Sequence, residues 1–240
     1  MKKLVFLFIL SQILGFKNLS ASHSFYVGTN IGLGILSGKR NDSATNNNLI
    51  TAVLANNKSV HAQGACAGIF TGYLFRIENF GVGPDFFYNY GKFTNTIRGS
   101  HNDPLGGINT AFEITHKISS QMGANVRLGY FLESYFLYGS IGITYQKAQF
   151  EMLASRVDIL GGGANQYGYK PRKKKTSAFT FGFGAQKAIA ENYAVGIECK
   201  FATFPKKNFS FTHNDAERTT LTSNFKYQLR SVALKVMYVF

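Results

Sequence analysis

The sequence predicts an all-β chain whose eight antiparallel strands close into a transmembrane up-and-down β-barrel. Three observations lead to this fold class. The 240 residues include 25 Gly, 23 Phe and 13 Tyr but only 4 Pro and no Trp, a composition typical of many short strands. Eight segments alternate between large apolar residues and small, polar or charged ones. The charged residues belong to the series that would face the barrel interior, which is the arrangement of membrane barrels.

The amino-terminal segment has the features of an export signal. Lys2 and Lys3 precede an apolar stretch that opens with Leu4–Leu10, and small residues follow near Ser20. The alternative is an amino-terminal membrane anchor, for which the apolar stretch is too short. We therefore expect residues 1–22 to be a cleaved signal peptide and residues 23–240 to form the barrel domain.

The eight strands are predicted from period-two patterning of about ten residues each, the length of a tilted strand crossing a bilayer. A soluble barrel, the alternative, would place its large apolar residues inside and its polar residues outside. The apolar series, taken as lipid-facing, are Phe25–Ile35, Ile69–Phe75, Phe80–Tyr90, Met122–Tyr130, Leu137–Tyr145, Phe179–Phe183, Tyr193–Phe201 and Val232–Phe240.

The connections between these segments alternate in length. Glu78, Glu133 and Glu191 mark three tight hairpins, each followed by an aromatic residue. Polar connections of greater length separate the other strands. They are predicted as loops over residues 37–63, 98–108, 151–175 and 205–222. Short periplasmic turns and long extracellular loops are typical of outer-membrane barrels.

The two cysteines, Cys66 and Cys199, fall on opposite faces of distant strands. A disulfide is possible in an exported protein. The geometry instead favours two unpaired thiols, because a bridge needs both Cβ atoms to lie close together.

At this point the sequence resembles a known family. The stretches "SFYVGTNIGLG", "ANVRLGYFLESYFLYGSIGITY" and the final "MYVF" are similar to OmpA/OmpX-type eight-stranded outer-membrane β-barrel proteins. We expect a monomer in contact with outer-membrane lipid and lipopolysaccharide. The resemblance implies the outer membrane of a Gram-negative-type bacterium. It also implies that Tyr238 and Phe240 match a signal read by the outer-membrane assembly machinery.

Charged residues of the inward series lie at similar heights above the tight turns. Isolated charges there would be costly, so we expect them to pair across the narrow lumen. The alternative is separate charges hydrated by lumen water. The predicted charge network consists of Asp85, Arg127, Glu198, Lys200 and Lys235.

The net charge of +14 includes a concentrated run, "KPRKKK", predicted in the third long loop. It could bind lipopolysaccharide phosphates, host glycans or other acidic cell-surface ligands, or form a solvated rim. Nucleic acid is not an expected partner. The basic residues are Lys170, Arg172, Lys173, Lys174 and Lys175.

An enzyme would need a nucleophile and a base within hydrogen-bond reach. The candidates are His116 and Ser119, but patterning assigns His116 to the outward face and Ser119 to the inward face. The remaining histidines are scattered and show no metal-ligand spacing. We therefore expect no enzyme activity, no cofactor and no metal site.

The sequence thus predicts a structural or adhesin-like surface protein that interacts through its long basic loops. One alternative is a narrow pore for small solutes. A second is a lipid-modifying outer-membrane enzyme.

Overall fold

A computed structural model of the chain describes residues 21–46, 50–103, 108–158, 164–212 and 220–240. These residues form eight strands, and among them no helix is long and apolar enough to span a membrane. The signal peptide predicted for residues 1–22 lies almost wholly outside the described part and stays a prediction. The strands are β1 (Ala21–Asn46), β2 (Ile50–Ile77), β3 (Phe80–Asp103), β4 (Ile108–Leu132), β5 (Tyr135–Asp158), β6 (Ala164–Ala190), β7 (Tyr193–Thr212) and β8 (Thr220–Val239).

The strands close into one barrel. Each pairs antiparallel with its neighbours in sequence, and β1 pairs with β8 from Tyr26↔Val239 to Thr45↔Thr220. Near the tight turns, closure gives every strand a hydrogen-bonded neighbour on both sides. Toward the other end, the β2–β3 ladder extends to Cys66↔Gly91 and the β6–β7 ladder to Phe179↔Thr203. The predicted fold class is therefore confirmed.

The three tight hairpins have two-residue turns, at residues 78–79, 133–134 and 191–192. Glu78 and Glu133 adopt φ values of 55° and 53°, in the left-handed region. A positive φ at the first turn position lets these two hairpins match the twist of their strands. We call this end of the barrel the turn end and the opposite end the far end.

The segments predicted as long loops are largely strand, which corrects the prediction of their length. β1 and β2 stay paired out to Asn46↔Ile50, and β5 and β6 out to Val157↔Ala164. The ladder continues because backbone hydrogen bonding does not depend on apolar side chains. The strands consequently span 20 to 28 residues, about twice what a bilayer crossing needs.

The exterior near the turn end is apolar, as the patterning predicted. Large apolar side chains project outward from all eight strands, and residues such as Ile31, Leu128 and Phe179 are more than half exposed. We call this zone the apolar belt. In a membrane barrel such a band contacts the acyl chains of lipids.

Beyond the belt the polarity of the wall reverses. In β8, Lys226 and Gln228 are exposed, while Phe225, Tyr227 and Leu229 are buried inside the barrel. The far end is therefore built like a soluble barrel, with apolar residues inside and polar residues outside.

A β-bulge in β4 changes which residues face inward. The β4–β5 register shifts between Ile118↔Ala148 and Ser120↔Lys147, so Ser119 is an extra residue. Because side chains alternate along a strand, one extra residue transfers the inward series from odd to even positions. Ile114, His116 and Ile118 consequently face the interior.

Aromatic contacts close the seam at the end of β8. The Phe240 amide donates to the carbonyl of Phe25 at 2.9 Å, and their ring centroids are 5.5 Å apart. Tyr238 meets Tyr193 edge-on at 5.2 Å. These contacts tie β8 to both of its neighbouring strands.

We expect Tyr238→Ser combined with Phe240→Ser to leave much of the protein unassembled, because the substitutions remove the aromatic contacts of the seam. The assembly-signal hypothesis predicts the same result. Cell fractionation and protease resistance measure it. Val236→Ser, on the same exposed face of β8, is the matched control and should assemble far better. Equal membrane levels of all variants would contradict the prediction.

Candidate functional site

The lumen at the level of the apolar belt contains a cluster of buried charges, here called the charge layer. Its residues come from β3, β4, β7 and β8, whose alternation directs them inward. The structure brings all five residues of the predicted network into this layer: Asp85, Arg127, Glu198, Lys200 and Lys235.

Two ion-paired groups make up the charge layer. Arg127 Nη2 lies 2.8 Å from Asp85 Oδ2, and these residues are 1% and 0% exposed. On the other side of the lumen, Lys235 donates to Glu198 Oε2 at 2.9 Å, and Lys200 Nζ lies 3.3 Å from the same oxygen. Each carboxylate thus has at least one cation beside it, and the layer carries one more base than acids.

Aromatic rings join the two groups across the lumen. Phe70 lies under both the Arg127 guanidinium, 5.7 Å away, and the Lys235 ammonium, 4.2 Å away. Tyr26 and Tyr138 also face Arg127, at 5.1 and 4.9 Å. A cation over a ring face gains electrostatic attraction that grows when water is excluded. The rings therefore offset part of the desolvation cost of the extra positive charge.

Sequence reasoning missed these aromatic partners. The inward series was read as small, polar or charged, yet Tyr26, Phe70, Phe87 and Tyr138 belong to it. Their positions in the sequence could have indicated them, since Tyr26 and Tyr138 are large residues among the small inward residues of their strands.

A second layer, the apolar plug, fills the lumen at the far end. It is one continuous cluster of buried side chains packed above the charge layer. Its members are Leu36, Val60, Ala62, Phe93, Ile114, Ile118, Ala148, Phe150, Ala178, Ala202, Phe204, Phe225, Tyr227 and Leu229.

His116 lies inside the apolar plug, which corrects its predicted outward orientation. Its ring stacks on Phe150 at 4.3 Å and contacts Phe225 and Tyr227 at 5.6 Å. Burial, together with the positive charge of Arg40, lowers the pKa of His116 to about 3. The Ser119 bulge is the reason for the wrong prediction, because it exchanges the two faces of β4 at this point.

The basic run lies on a strand and not in a loop, contrary to prediction. It belongs to β6, where Lys173 pairs with Gln149 and Lys175 with Lys147. The Lys173 and Lys175 side chains are exposed. The side chains of Lys170, Arg172 and Lys174 lie outside what the structure describes.

The cysteines are both free, as expected. Cys66 packs against the apolar plug, whereas Cys199 belongs to the outward series of β7. Among the described residues no group of His, Cys, Asp and Glu could hold a metal ion.

Comparison with solved structures places this architecture among known folds. OprG, an outer membrane protein from Pseudomonas aeruginosa, is similar over 90% of this chain and 96% of its own, with a TM-score of 0.50 and 10% identity. The chain has the fold of outer-membrane β-barrels. Two other outer-membrane proteins match more loosely: the attachment invasion locus protein Ail of Yersinia pestis and the protease OmpT from Escherichia coli.

Ail covers 90% of this chain and 98% of its own at 12% identity and a TM-score of 0.33. OmpT covers 93% of this chain and 98% of its own at 12% identity and a TM-score of 0.46. No protein-family model matches the chain, and no curated protein matches it by sequence. At these identities the likeness concerns the outer-membrane barrel fold alone.

Proposed function

We propose that this protein is a closed, non-conducting outer-membrane barrel that acts as a structural or adhesin-like surface protein. The filling of the lumen is the observation that carries the proposal. The charge layer occupies the lumen at belt level, and the apolar plug occupies it at the far end. A permeant ion would have to displace ion-paired side chains and then cross a desolvating apolar cluster.

The far end supplies the surface for interaction. Its paired strands continue past the belt with a polar outer face, in place of the long polar loops that the sequence predicted. The exposed ion pair Arg98–Glu113, at 2.9 Å, and the partly buried pair Lys117–Glu151, at 2.6 Å, lie on this wall. A wall built on paired strands presents its side chains with little loss of conformational freedom on binding, which favours contact with a partner surface.

Planar-bilayer recording of the refolded protein tests the proposal. We expect no stable single-channel steps, because both layers close the lumen. Insertion is verified in a parallel experiment, in which the same refolded protein is placed in liposomes and the belt is tested for protection from protease. Reproducible conductance steps from verified wild-type barrels would overturn the proposal.

The charged residues of the lumen favour one alternative, a narrow pore for small solutes. Asp85, Arg127, Glu198, Lys200 and Lys235 would then line the solute path, and the apolar plug would have to move aside. The same recording distinguishes the two functions. For the lipid-modifying enzyme, the described residues supply no His116–Ser119 pair, since the His116 ring is stacked within the plug.

A further inference from the structure

A row of exposed cations surrounds the barrel wall just beyond the apolar belt. They project outward from β1, β3, β5, β6, β7 and β8, at the level where the wall turns from apolar to polar. The exposed members are Lys39, Lys92, Lys147, Lys173, Lys175, Lys206, Lys226 and Arg230.

Two pairs in this row have an unusual arrangement. Lys39 on β1 is the direct cross-strand partner of Lys226 on β8, and Lys147 on β5 is the direct partner of Lys175 on β6. All four side chains are exposed on the outer face. The side chains of directly opposed residues begin roughly 5 Å apart, so both ammonium groups of a pair are within reach of one anion.

Like charges directly opposed on a sheet are destabilising. Within the described part of the chain, no carboxylate forms an ion pair with any of these four lysines, although Lys117 nearby is paired with Glu151. The residues that the structure describes therefore leave this repulsion uncompensated. An added anion between the two ammonium groups would convert repulsion into a bridged, charge-assisted contact.

We propose that the two lysine pairs, Lys39–Lys226 and Lys147–Lys175, are binding sites for the phosphate groups of outer-leaflet lipid. The site extends beyond the basic run of β6, because three of these four lysines lie outside that run. The proposal rests on the placement of the belt in a membrane and does not depend on whether the lumen conducts.

The position of the pairs favours lipid phosphate over free phosphate. Lys147 lies one outward position beyond Tyr145, a half-exposed residue at the edge of the belt. The Lys147–Lys175 pair therefore lies directly beyond apolar wall that acyl chains would cover. Lys39, with its partner Lys226, lies two outward positions beyond Ile35, an exposed apolar residue of the belt on β1. A lipid binds the lysines through its phosphate and the apolar belt through its acyl chains, whereas inorganic phosphate binds the lysines only.

Native mass spectrometry of the refolded barrel in a non-ionic, phosphate-free detergent tests the sites, with diphosphoryl lipid A as the probe. We expect two tightly retained lipid molecules on the wild type. Lys39→Gln with Lys226→Gln should remove one, and Lys147→Gln with Lys175→Gln the other, each with an affinity loss of roughly thirtyfold at low salt. The matched control is Lys92→Gln with Lys187→Gln, which removes two exposed lysines that are not paired with each other and should retain both lipids.

A second readout separates a site from a solvated rim. In lipid-free detergent, Lys226→Gln alone should raise the unfolding midpoint, because it relieves the repulsion; with diphosphoryl lipid A present, the same substitution should reduce the lipid-induced stabilisation. Equal lipid loss in the control variant, or retention of both lipids by the pair variants, would overturn the proposal. Competition by inorganic pyrophosphate at the lipid concentration would overturn the choice of lipid as the source of the phosphate.

Discussion

Replacing Arg127 by alanine is expected to destabilise the barrel by about 3–5 kcal/mol, the range found when one partner of a buried ion pair is removed. Asp85 is 0% exposed and pairs with Arg127 at 2.8 Å. The substitution leaves that carboxylate buried beside no cation of its own. The guanidinium contacts with Tyr26 and Tyr138 are lost at the same time. Urea unfolding in detergent micelles, followed by far-ultraviolet circular dichroism, measures the change.

A double-mutant cycle assigns the effect to the pair. Asp85→Ala combined with Arg127→Ala should cost less than the two single substitutions added together, with a coupling of at least roughly 1 kcal/mol. The matched control is Arg98–Glu113, which joins the same two strands at 2.9 Å but whose arginine side chain is 81% exposed. Its coupling should be about 0.5 kcal/mol, as is typical of surface ion pairs.

Strict additivity of Asp85→Ala and Arg127→Ala would mean that the two charges are hydrated separately. A coupling no larger than that of Arg98–Glu113 would lead to the same conclusion. Either result would show that the charge layer is not a cooperative unit. The apolar plug would then be the remaining argument that the lumen is closed.

The membrane-level fold could be predicted from the sequence because bilayer burial imposes one rule on every strand. Apolar residues must face outward over about ten residues, so strand number, order and turns follow from patterning. The inward positions of Asp85, Arg127, Glu198 and Lys235 followed from the same counting. Their individual partners did not, since contacts across a lumen depend on strand stagger and tilt.

The far end could not be predicted by that rule, because there the solvent changes. In β8 the apolar face passes from Val232 and Leu234 on the outside to Phe225, Tyr227 and Leu229 on the inside. A pattern search for one continuous apolar face ends at this switch and assigns the remainder to loops.

In β4 the switch was hidden for a different reason. The bulge at Ser119 moves the inward series to even positions just where the apolar face also changes sides. The bulge changes which positions face inward, and the apolar side chains change from the outer to the inner face at the same point. In the sequence the apolar residues therefore stay at even positions, and Ile114, His116 and Ile118 continue the pattern of Met122 and Ala124. A bulge leaves no compositional mark here, and only the register of the neighbouring strands reveals it.

Replacing Gly83 by alanine is expected to prevent most of the protein from refolding. A Cβ atom at this position would lie 1.7 Å from the Tyr73 carbonyl oxygen, which is backbone. The β2–β3 ladder passes directly from Gly72↔Asp85 to Phe75↔Val82, so the two strands approach closely where Gly83 and Pro84 interrupt it. In a closed barrel neither strand can retreat without disturbing its other neighbour.

Gly139→Ala is the matched control, since it adds the same methyl group to a glycine at belt level. The nearest heavy atom to its Cβ would be the Gly182 carbonyl oxygen, at 3.9 Å, an ordinary contact. Gly139 is exposed on the lipid-facing side, whereas Gly83 faces the lumen and is buried. Gel mobility of unheated samples after refolding into detergent reports the folded fraction of each variant. Gly139→Ala should match the wild type, and Gly83→Ala should lose stability by on the order of 3 kcal/mol or more, at the upper end for an overpacked site. Equal folded fractions for the two variants would mean that the β2–β3 seam can widen, and the close approach at Tyr73 would then not be a constraint on the fold.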